Sequence, residues 1–335
     1  MRQRATVREL AAETGLSVAT VSRVLNGQAN VAPRTREVVL QAAGRLGHQA
    51  PRPRTDRDAI YIRCPYLLDD YFGRIVSSIV ETVELHGMTA ILNAGNAAQR
   101  SDVLSDLPGR AGVEGGILIL PPEPGDDLIR LRDRGFPFVV VDPRTQPPRD
   151  IVAVSAAHVT GARSVMTHLV ELGHRRVGII GGPREWLVTD SRMTGYVAAL
   201  ADAGVLPSPE LLRFVVEPSL DNGYRAACEL LDQPDRPTAL VGFNDKIAIG
   251  ALRAAVERGL RVPDDLSIAG FDDLEISQMT QPMLTTVRQP LAELGRMAVT
   301  LLLRLLKRHE LDARHVELAT DLVVRGTTGP APGTA

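Results

Sequence analysis

The residue types with the clearest chemistry lie between residues 6 and 27. Val18, Ala19, Ser22 and Arg23 recur at a spacing that places them on one exposed arc of a helix. Small side chains, a hydroxyl group and a guanidinium group are suited to contact with the base edges and phosphates of DNA. The arc therefore predicts a helix that reads DNA.

Two short helices joined by a tight turn would position this arc. Thr6 and Glu9 have the S/T-x-x-E spacing of a capping box, which predicts the start of the first helix. Gly15 can supply the positive φ of a tight corner, and Ser17 is a cap for the second helix. This order is a helix-turn-helix. A third helix opens at Pro33, since proline is tolerated in the first turn.

Charge is divided unevenly along the chain. Residues 1–57 contain ten arginines and four acidic residues, whereas the remainder contains 28 basic and 36 acidic residues. The formal net charge of −2 for the whole chain hides this basic head. Attachment to DNA phosphates requires a basic surface. The charge therefore favours a head that binds double-stranded DNA over the alternative, a small helical bundle that binds no ligand.

The segment SVATVSRVLNG, followed by V-x-x-x-T-R-x-x-V, resembles the LacI/GalR family of transcriptional regulators. The resemblance implies that the second helix enters the major groove, where Val18, Ala19 and Arg23 contact base edges. Arginine can donate two hydrogen bonds to guanine, and the two small apolar side chains can contact a thymine methyl group. Six residues match family positions that contact phosphates: Thr6, Ser17, Thr20, Ser22, Asn26 and Thr35. Helix capping is the alternative role for such hydroxyl groups.

The linker, residues 49–59, departs from the family pattern. Family members have a hinge helix with a leucine that enters the minor groove, whereas this stretch has no leucine and contains Pro51 and Pro53. Two interpretations of the linker stay open. Either Arg52 and Arg54 lie along the DNA backbone or in a narrow minor groove, or the stretch is a solvated connection.

Beyond the linker, short apolar runs alternate with helical stretches. Six of these runs have the length of strands: 60–64, 115–120, 137–142, 176–181, 238–243 and 266–271. Such alternation predicts βαβ units in doubly wound parallel sheets.

The resemblance implies how these parts are arranged. An N-terminal all-α helix-turn-helix head covers residues 1–48, and a Pro/Arg-rich linker follows at 49–59. An α/β two-lobed, periplasmic-binding-protein-like core for effector binding and dimerisation covers 60–328. We expect residues 329–335 to be a disordered tail.

Polar residues that end the predicted strands mark the expected ligand site, because ligands of parallel sheets bind beyond the carboxyl ends of the strands. The resemblance implies effector contacts by Asp142, Arg192, Asn244 and Asp272. Carboxylate, amide and guanidinium groups together suit a ligand rich in hydroxyl groups, such as a sugar. Turn formation or helix capping is the alternative role for the Asp and Asn residues.

Three aromatic residues belong to this expected effector site. Tyr71 and Phe72 occupy the family position at which aromatic side chains close over the ligand. Trp186, the only tryptophan, lies in a Gly-Pro loop ahead of Arg192. Stacking on a sugar ring and packing within the loop both stay open for Trp186.

The sequence contains no motif typical of catalysis or metal binding. The sequence contains neither G-x-x-x-x-G-K-[ST] nor G-x-S-x-G, and GIIGG at 178–182 is not G-x-G-x-x-G. Seven histidines without metal spacing and two distant cysteines predict neither a metal site nor a cofactor. We therefore expect a DNA-binding protein rather than an enzyme.

Together these observations predict a homodimeric, ligand-responsive transcriptional repressor of carbohydrate-utilisation genes. Its two heads would bind a near-palindromic operator, and a sugar-like effector between the lobes would change operator affinity. A constitutive repressor with a silent cleft and a regulator of a non-sugar ligand are the alternatives. Because no apolar stretch resembles a signal peptide or a membrane span, a cytoplasmic location without membrane attachment is expected.

Overall fold

The computed structural model describes residues 6–25, 31–45, 58–100 and 103–333. It divides into two compact units, Met1–Ala59 and Ile60–Ala335, called here the head and the core unit. The described part of the head contains three helices: α1 (Val7–Thr14), α2 (Val18–Leu25) and α3 (Pro33–Arg45).

Local capping determines where the helices of the head begin and end. The Thr6 amide donates to Glu9 Oε2 at 2.6 Å, and the Glu9 amide donates to Thr6 Oγ1 at 3.3 Å. Gly15 ends α1 with a φ of 67°, and the Thr20 amide donates to Ser17 Oγ at 3.1 Å at the start of α2. Buried apolar side chains from all three helices form one small core: Leu10, Ala11, Val21, Val24, Val39, Ala42 and Ala43. The predicted helix-turn-helix is confirmed.

The remaining described chain alternates strands and helices. The strands are β1 (Ala59–Cys64), β2 (Thr89–Ala94), β3 (Val113–Ile119), β4 (Phe138–Val141), β5 (Ala153–Ala156), β6 (Val177–Gly181), β7 (Leu212–Phe214), β8 (Ala239–Gly242), β9 (Ser267–Ala269), β10 (Thr286–Arg288), β11 (His315–Leu318) and β12 (Asp321–Val323). The helices are α4 (Asp70–Leu85), α5 (Val103–Asp106), α6 (Gly125–Asp133), α7 (His158–Glu171), α8 (Leu187–Asp202), α9 (Leu220–Leu231), α10 (Asp245–Glu257) and α11 (Leu291–Leu306).

These strands form two larger sheets and one short pair. The first sheet has the order β11-β5-β4-β3-β1-β2, and the second has the order β7-β6-β8-β9. Neighbouring strands run parallel in both sheets. Ile117 lies opposite Val139 in the first sheet, and Ile179 lies opposite Val241 in the second. The antiparallel pair β10-β12 lies beside the second sheet, and a β-bridge between Ala269 and Thr285 connects the pair to β9.

Helices cover both faces of each sheet, which explains why the strands read as continuous apolar runs. In the first sheet, α4 and α11 pack on one face and α5 and α6 on the other. In the second sheet, α7 and α8 pack on one face and α9 and α10 on the other. We call the two sheets with their helices lobe 1 and lobe 2. The predicted two-lobed α/β fold with doubly wound parallel sheets is confirmed.

The connections between the lobes position the site. Within residues 103–333 the chain crosses between lobes after β5, before α11 and after β11. The carboxyl ends of β1, β3 and β4 and those of β6, β8 and β9 therefore supply residues to a cleft between the lobes. In the described ranges no helix combines the length and the apolar character needed to cross a membrane.

The C-terminal segment is ordered further than the sequence predicts. The Gly329 amide donates to Ser267 Oγ at 3.0 Å, and the Gly329 carbonyl accepts from His174 Nε2 at 3.1 Å. The Ala331 amide donates to the Leu172 carbonyl at 2.8 Å. The prediction of a disordered tail from residue 329 is thus wrong for 329–331, because buried polar groups of lobe 2 provide hydrogen-bond partners.

Candidate functional site

The head presents the predicted base-contacting residues on its surface. Val18 is 48% exposed, and Ala19 and Arg23 are exposed as well. Val21 and Val24, on the opposite side of α2, are buried in the core of the head. Val18, Ala19 and Arg23 are therefore available for contacts outside the head.

The predicted phosphate-contacting residues vary in exposure. Thr6 and Ser17 are exposed, whereas Thr20, Ser22 and Thr35 are half-buried. The hydroxyl groups of Thr6 and Ser17 cap α1 and α2, so the alternative role of these two residues is present in the structure. The predictions for Asn26, Arg52 and Arg54, and with them both interpretations of the linker, lie outside the described residues.

A cavity of about 490 Å³ lies between the lobes of the core unit. All seven residues predicted to contact an effector line it: Tyr71, Phe72, Asp142, Trp186, Arg192, Asn244 and Asp272. The first three belong to lobe 1 and the other four to lobe 2. The tertiary structure thus brings together side chains that are up to about 200 positions apart in the sequence.

Aromatic side chains from both lobes contact one another along this cavity. Tyr66 and Phe72 stack with ring centroids 4.8 Å apart, and Trp186 meets the rings of Tyr66 and Phe243 edge-on at 6.2 Å each. Trp186 therefore packs against protein and also lines the cavity, so both roles considered for it are compatible with the structure. Its indole N–H is buried and has no hydrogen-bond partner among the described residues.

A polar network joins the two lobes beside the cavity. The Tyr71 hydroxyl donates to Asp142 Oδ2, and His158 Nε2 donates to Asp142 Oδ1 at 3.4 Å. Arg192 reaches His158 Nδ1 at 3.5 Å and lies 3.7 Å from Asp272 Oδ1. Because Asp142 belongs to lobe 1 and Arg192 to lobe 2, His158 bridges the two lobes.

Packing holds the Arg192 guanidinium in place. Its Nη1 donates to the Phe243 carbonyl, and its Cζ lies 3.7 Å from the ring centre of Phe271 and 4.6 Å from that of Phe243. The Nε of Arg192 is buried without a hydrogen-bond partner among the described residues. A buried donor without a partner is costly, so it is a candidate contact for a ligand acceptor.

Burial moves the pKa values of this network in different directions. Burial raises the pKa of Asp272 to about 7, although Arg192 and a hydrogen bond from Gln289 oppose the shift. Burial also acts to raise the pKa of Asp142, but the hydrogen bonds from His158 and Tyr71 hold it below its usual value. Burial lowers the pKa of His158 despite its bond to Asp142, so this imidazole is neutral at pH 7. A neutral imidazole can donate to Asp142 and accept from Arg192 at the same time.

Three residues that line the cavity have strained backbones. Leu120 has a φ of 44°, Asp142 of 46° and Asp272 of 120°. Residues other than glycine rarely adopt such angles, and those that do cluster at functional sites. The backbone thus supports the same cavity as a functional site.

Asn244 and Lys246 begin α10 at the rim of the cavity. The Asn244 Oδ1 accepts from the Ile247 amide at 3.0 Å, so the capping role considered for this residue is present. The Lys246 Nζ pairs with Asp69 Oδ2, and this ion pair joins lobe 2 to lobe 1.

Several residues at the cavity were not predicted from the sequence. They are Tyr66, Asp69, Phe243 and Lys246, which line it, and His158, which joins the polar network. Tyr66 and Phe243 follow β1 and β8, so the rule that ligands lie beyond strand ends could have identified them. Asp69 and His158 carry no such signal, because their partners are distant in sequence.

The core unit has the architecture of a two-lobed binding protein, and the head has that of a DNA-binding helix-turn-helix. Comparison with known families agrees with this class. The family model for bacterial regulatory proteins of the lacI family matches residues 6–50, and the model for a periplasmic binding protein-like domain matches residues 166–328.

Curated relatives match along almost the whole chain. The HTH-type transcriptional repressor CytR of Escherichia coli (strain K12) is 32% identical, covering 98% of this chain and 97% of its own length. The regulator MalR of Streptomyces coelicolor is 34% identical, covering 97% of each chain. The chain belongs to the LacI family and is a DNA-binding transcriptional regulator. The family resemblance inferred from the head is confirmed.

Solved structures of the family superpose on the same length. The CelR–cellobiose complex has a TM-score of 0.73 and 29% identity, and the match covers 97% of this chain and 100% of that one. The lac repressor dimer bound to operator and the anti-inducer ONPF has a TM-score of 0.75 and 28% identity, with 98% and 100% covered. The match therefore includes both the head and the core unit.

Proposed function

We propose that this protein is a transcriptional repressor of carbohydrate-utilisation genes whose operator affinity changes when a sugar-like effector binds between its lobes. The observation that carries the proposal is the cavity of about 490 Å³, lined from both lobes by carboxylates, an amide, a guanidinium and aromatic rings. Small-molecule sites have this size and this mixture of apolar walls with a few polar groups. The sugar complex of the related CelR supports the same chemical class.

Different cavity residues contact different parts of the effector. The Asp272 carboxylate, the Asn244 side chain and the Arg192 Nε pair with hydroxyl groups of the effector. The rings of Trp186 and Tyr66 contact its apolar face. Asp142 has hydrogen bonds to both of its oxygens, so its contribution is chiefly to hold Tyr71 and His158 in place.

Transmission of the signal follows from where these contacts lie. An effector that touches both lobes favours the lobe arrangement in which all its contacts are made, and it shifts the population towards that arrangement. The polar network through His158 joins the lobes at the same place, so it responds to the same change. In a homodimer, the lobe arrangement alters the affinity of the two heads for operator half-sites. The dimeric lac repressor bound to operator supports this assembly, and a DNA-binding role supports a cytoplasmic location.

The test measures binding of the full chain to DNA from upstream of its own gene by fluorescence anisotropy, with and without a panel of mono- and disaccharides. We expect one saccharide to change the Kd for a specific fragment. Arg192→Ala should bind the fragment normally but lose the response, because the head is unaltered and the cavity has lost its central donor. Gly109→Ala, which meets no neighbouring atom within 4 Å, is the control. A specific complex that ignores every saccharide would refute the sugar effector.

The dimeric arrangement and the sequence specificity of the heads are tested in the same assay. A near-palindromic fragment should be bound by two chains, and scrambling either half-site should abolish the specific complex. Binding of single chains to isolated half-sites with undiminished affinity would contradict the dimeric arrangement.

A further inference from the structure

Every cationic side chain that lines the cavity in the described part of the chain already lies beside an acidic side chain of the protein. Arg144 Nη2 lies 3.3 Å from Glu185 Oε1, and Lys246 Nζ pairs with Asp69 Oδ2. Arg192, which is only 4% exposed, lies 3.7 Å from Asp272 Oδ1 and donates to the Phe243 carbonyl. An anionic group entering this cavity would therefore compete with a carboxylate for each cation.

Acidic side chains also outnumber basic ones around the cavity. Among the described residues, its lining contains five acidic side chains, Asp69, Asp142, Glu185, Glu217 and Asp272, and three cations, Arg144, Arg192 and Lys246. Even when Asp272 is protonated, four carboxylates face three cations. Because the walls exclude part of the water, like charges in such a site repel each other more strongly than in bulk solvent. The field in the cavity thus opposes a phosphate or carboxylate ligand.

Two buried polar groups at the cavity are left without partners. Trp186 Nε1 and Arg192 Nε are buried donors that have no hydrogen-bond partner among the described residues. Trp186 offers a single N–H, and Nε is the one nitrogen of Arg192 without a partner, since Nη1 and Nη2 both contact other groups of the protein. Phosphate recognition commonly uses two parallel guanidinium hydrogen bonds, and at Arg192 such a pair of bonds would compete with the protein groups that Nη1 and Nη2 already contact.

We propose that the cavity selects an uncharged polyhydroxylated effector and excludes phosphorylated or acidic sugars. This inference rests on the proposed function in taking the cavity as the effector site, and it adds the charge class of the ligand. The selection arises from the pairing of each cation, so releasing one cation should weaken it.

The test compares glucose, ribose, maltose and cellobiose with their monophosphates, and includes inorganic phosphate as a probe. Binding is followed by the fluorescence of Trp186, which lines the cavity, and by calorimetry. The full-length variants Asp69→Asn and Glu185→Gln release Lys246 and Arg144, respectively. The Asp69→Asn side chain retains the oxygen that caps α4 by accepting from the Phe72 amide. Asp232→Asn, which releases Arg258 from an ion pair on the surface away from the cavity, is the matched control.

We expect wild type to bind a neutral saccharide at least about tenfold more tightly than its phosphate. In the two cavity variants, the affinity for the neutral saccharide should exceed that for its phosphate by a smaller factor, and the affinity for inorganic phosphate should increase. Asp232→Asn should show neither change. Tighter binding of a phosphorylated sugar to wild type would overturn the proposal, as would cavity variants that do not change phosphate affinity.

Failure of the proposed function has a different signature. If wild type binds no saccharide, the sugar effector is refuted, but the inorganic phosphate measurements still decide the charge selection. A gain of phosphate affinity in both cavity variants and not in the control would then support it, and equal affinity in all four proteins would overturn it.

Discussion

Replacing Asp272 with Asn tests the electrostatics of the cleft directly. Asp272 is 4% exposed and accepts a hydrogen bond from Gln289 Nε2 at 2.6 Å. An asparagine has nearly the same shape and retains an acceptor oxygen for this bond, but it cannot ionise. The variant therefore removes the ionisable carboxyl group of residue 272 and keeps a side chain of nearly the same shape.

The size of the effect follows from the pKa of this carboxyl group. Burial raises the pKa of Asp272 from 3.8 to about 7 in the folded protein. Because the unfolded chain ionises first, wild type loses stability as the pH rises between these two values. A shift of about three units corresponds to about 4 kcal/mol, of which about 3 kcal/mol falls between pH 5 and pH 8.

The assay is urea unfolding of the core unit between pH 5 and pH 8, followed by Trp186 fluorescence. The free energy of unfolding of Asp272→Asn, relative to wild type, should increase by about 3 kcal/mol over this range. Asp232→Asn is the control. Its ion pair with Arg258 lowers the pKa of Asp232, so this group titrates below pH 5. A difference between Asp272→Asn and wild type that is constant with pH, or that decreases, would refute the reasoning.

Two further predictions concern the head and the packing of lobe 2. Arg23→Ala should cost about 1 to 3 kcal/mol in operator binding and relax the preference at one base pair of each half-site. Thr35→Ala should instead weaken binding to all sequences alike, and equal loss of specificity in both variants would contradict the assigned roles. Gly195→Ala should destabilise the core unit by about 1 to 3 kcal/mol, because its Cβ would lie 2.3 Å from the Val159 carbonyl oxygen. Thermal unfolding of this variant beside Gly109→Ala measures the effect, and equal melting temperatures would show that α7 and α8 can separate without cost.

The sequence by itself determined the features that depend on neighbouring residues. The capping box of Thr6 and Glu9, the corner at Gly15 and the cap at Ser17 are local, so their spacing was sufficient to place α1 and α2. Six strands of the core unit, β1, β3, β4, β6, β8 and β9, were predictable for a similar reason, because a strand buried on both faces needs an uninterrupted apolar run. Family positions then indicated six cavity residues, and the composition of its loop indicated Trp186.

Only the tertiary structure decided how those residues are used. Lys246 and Asp69 are 177 positions apart, and His158 lies 34 positions from Arg192, so neither the ion pair between the lobes nor the bridging imidazole has a local signal. The order of Gly329 likewise depends on Ser267, 62 positions earlier. Periodicity and capping report on a few neighbouring residues, whereas the charge and burial of the cavity arise when distant strand ends meet. The class of protein was therefore determined by local sequence, and the character of its ligand site was decided by the fold.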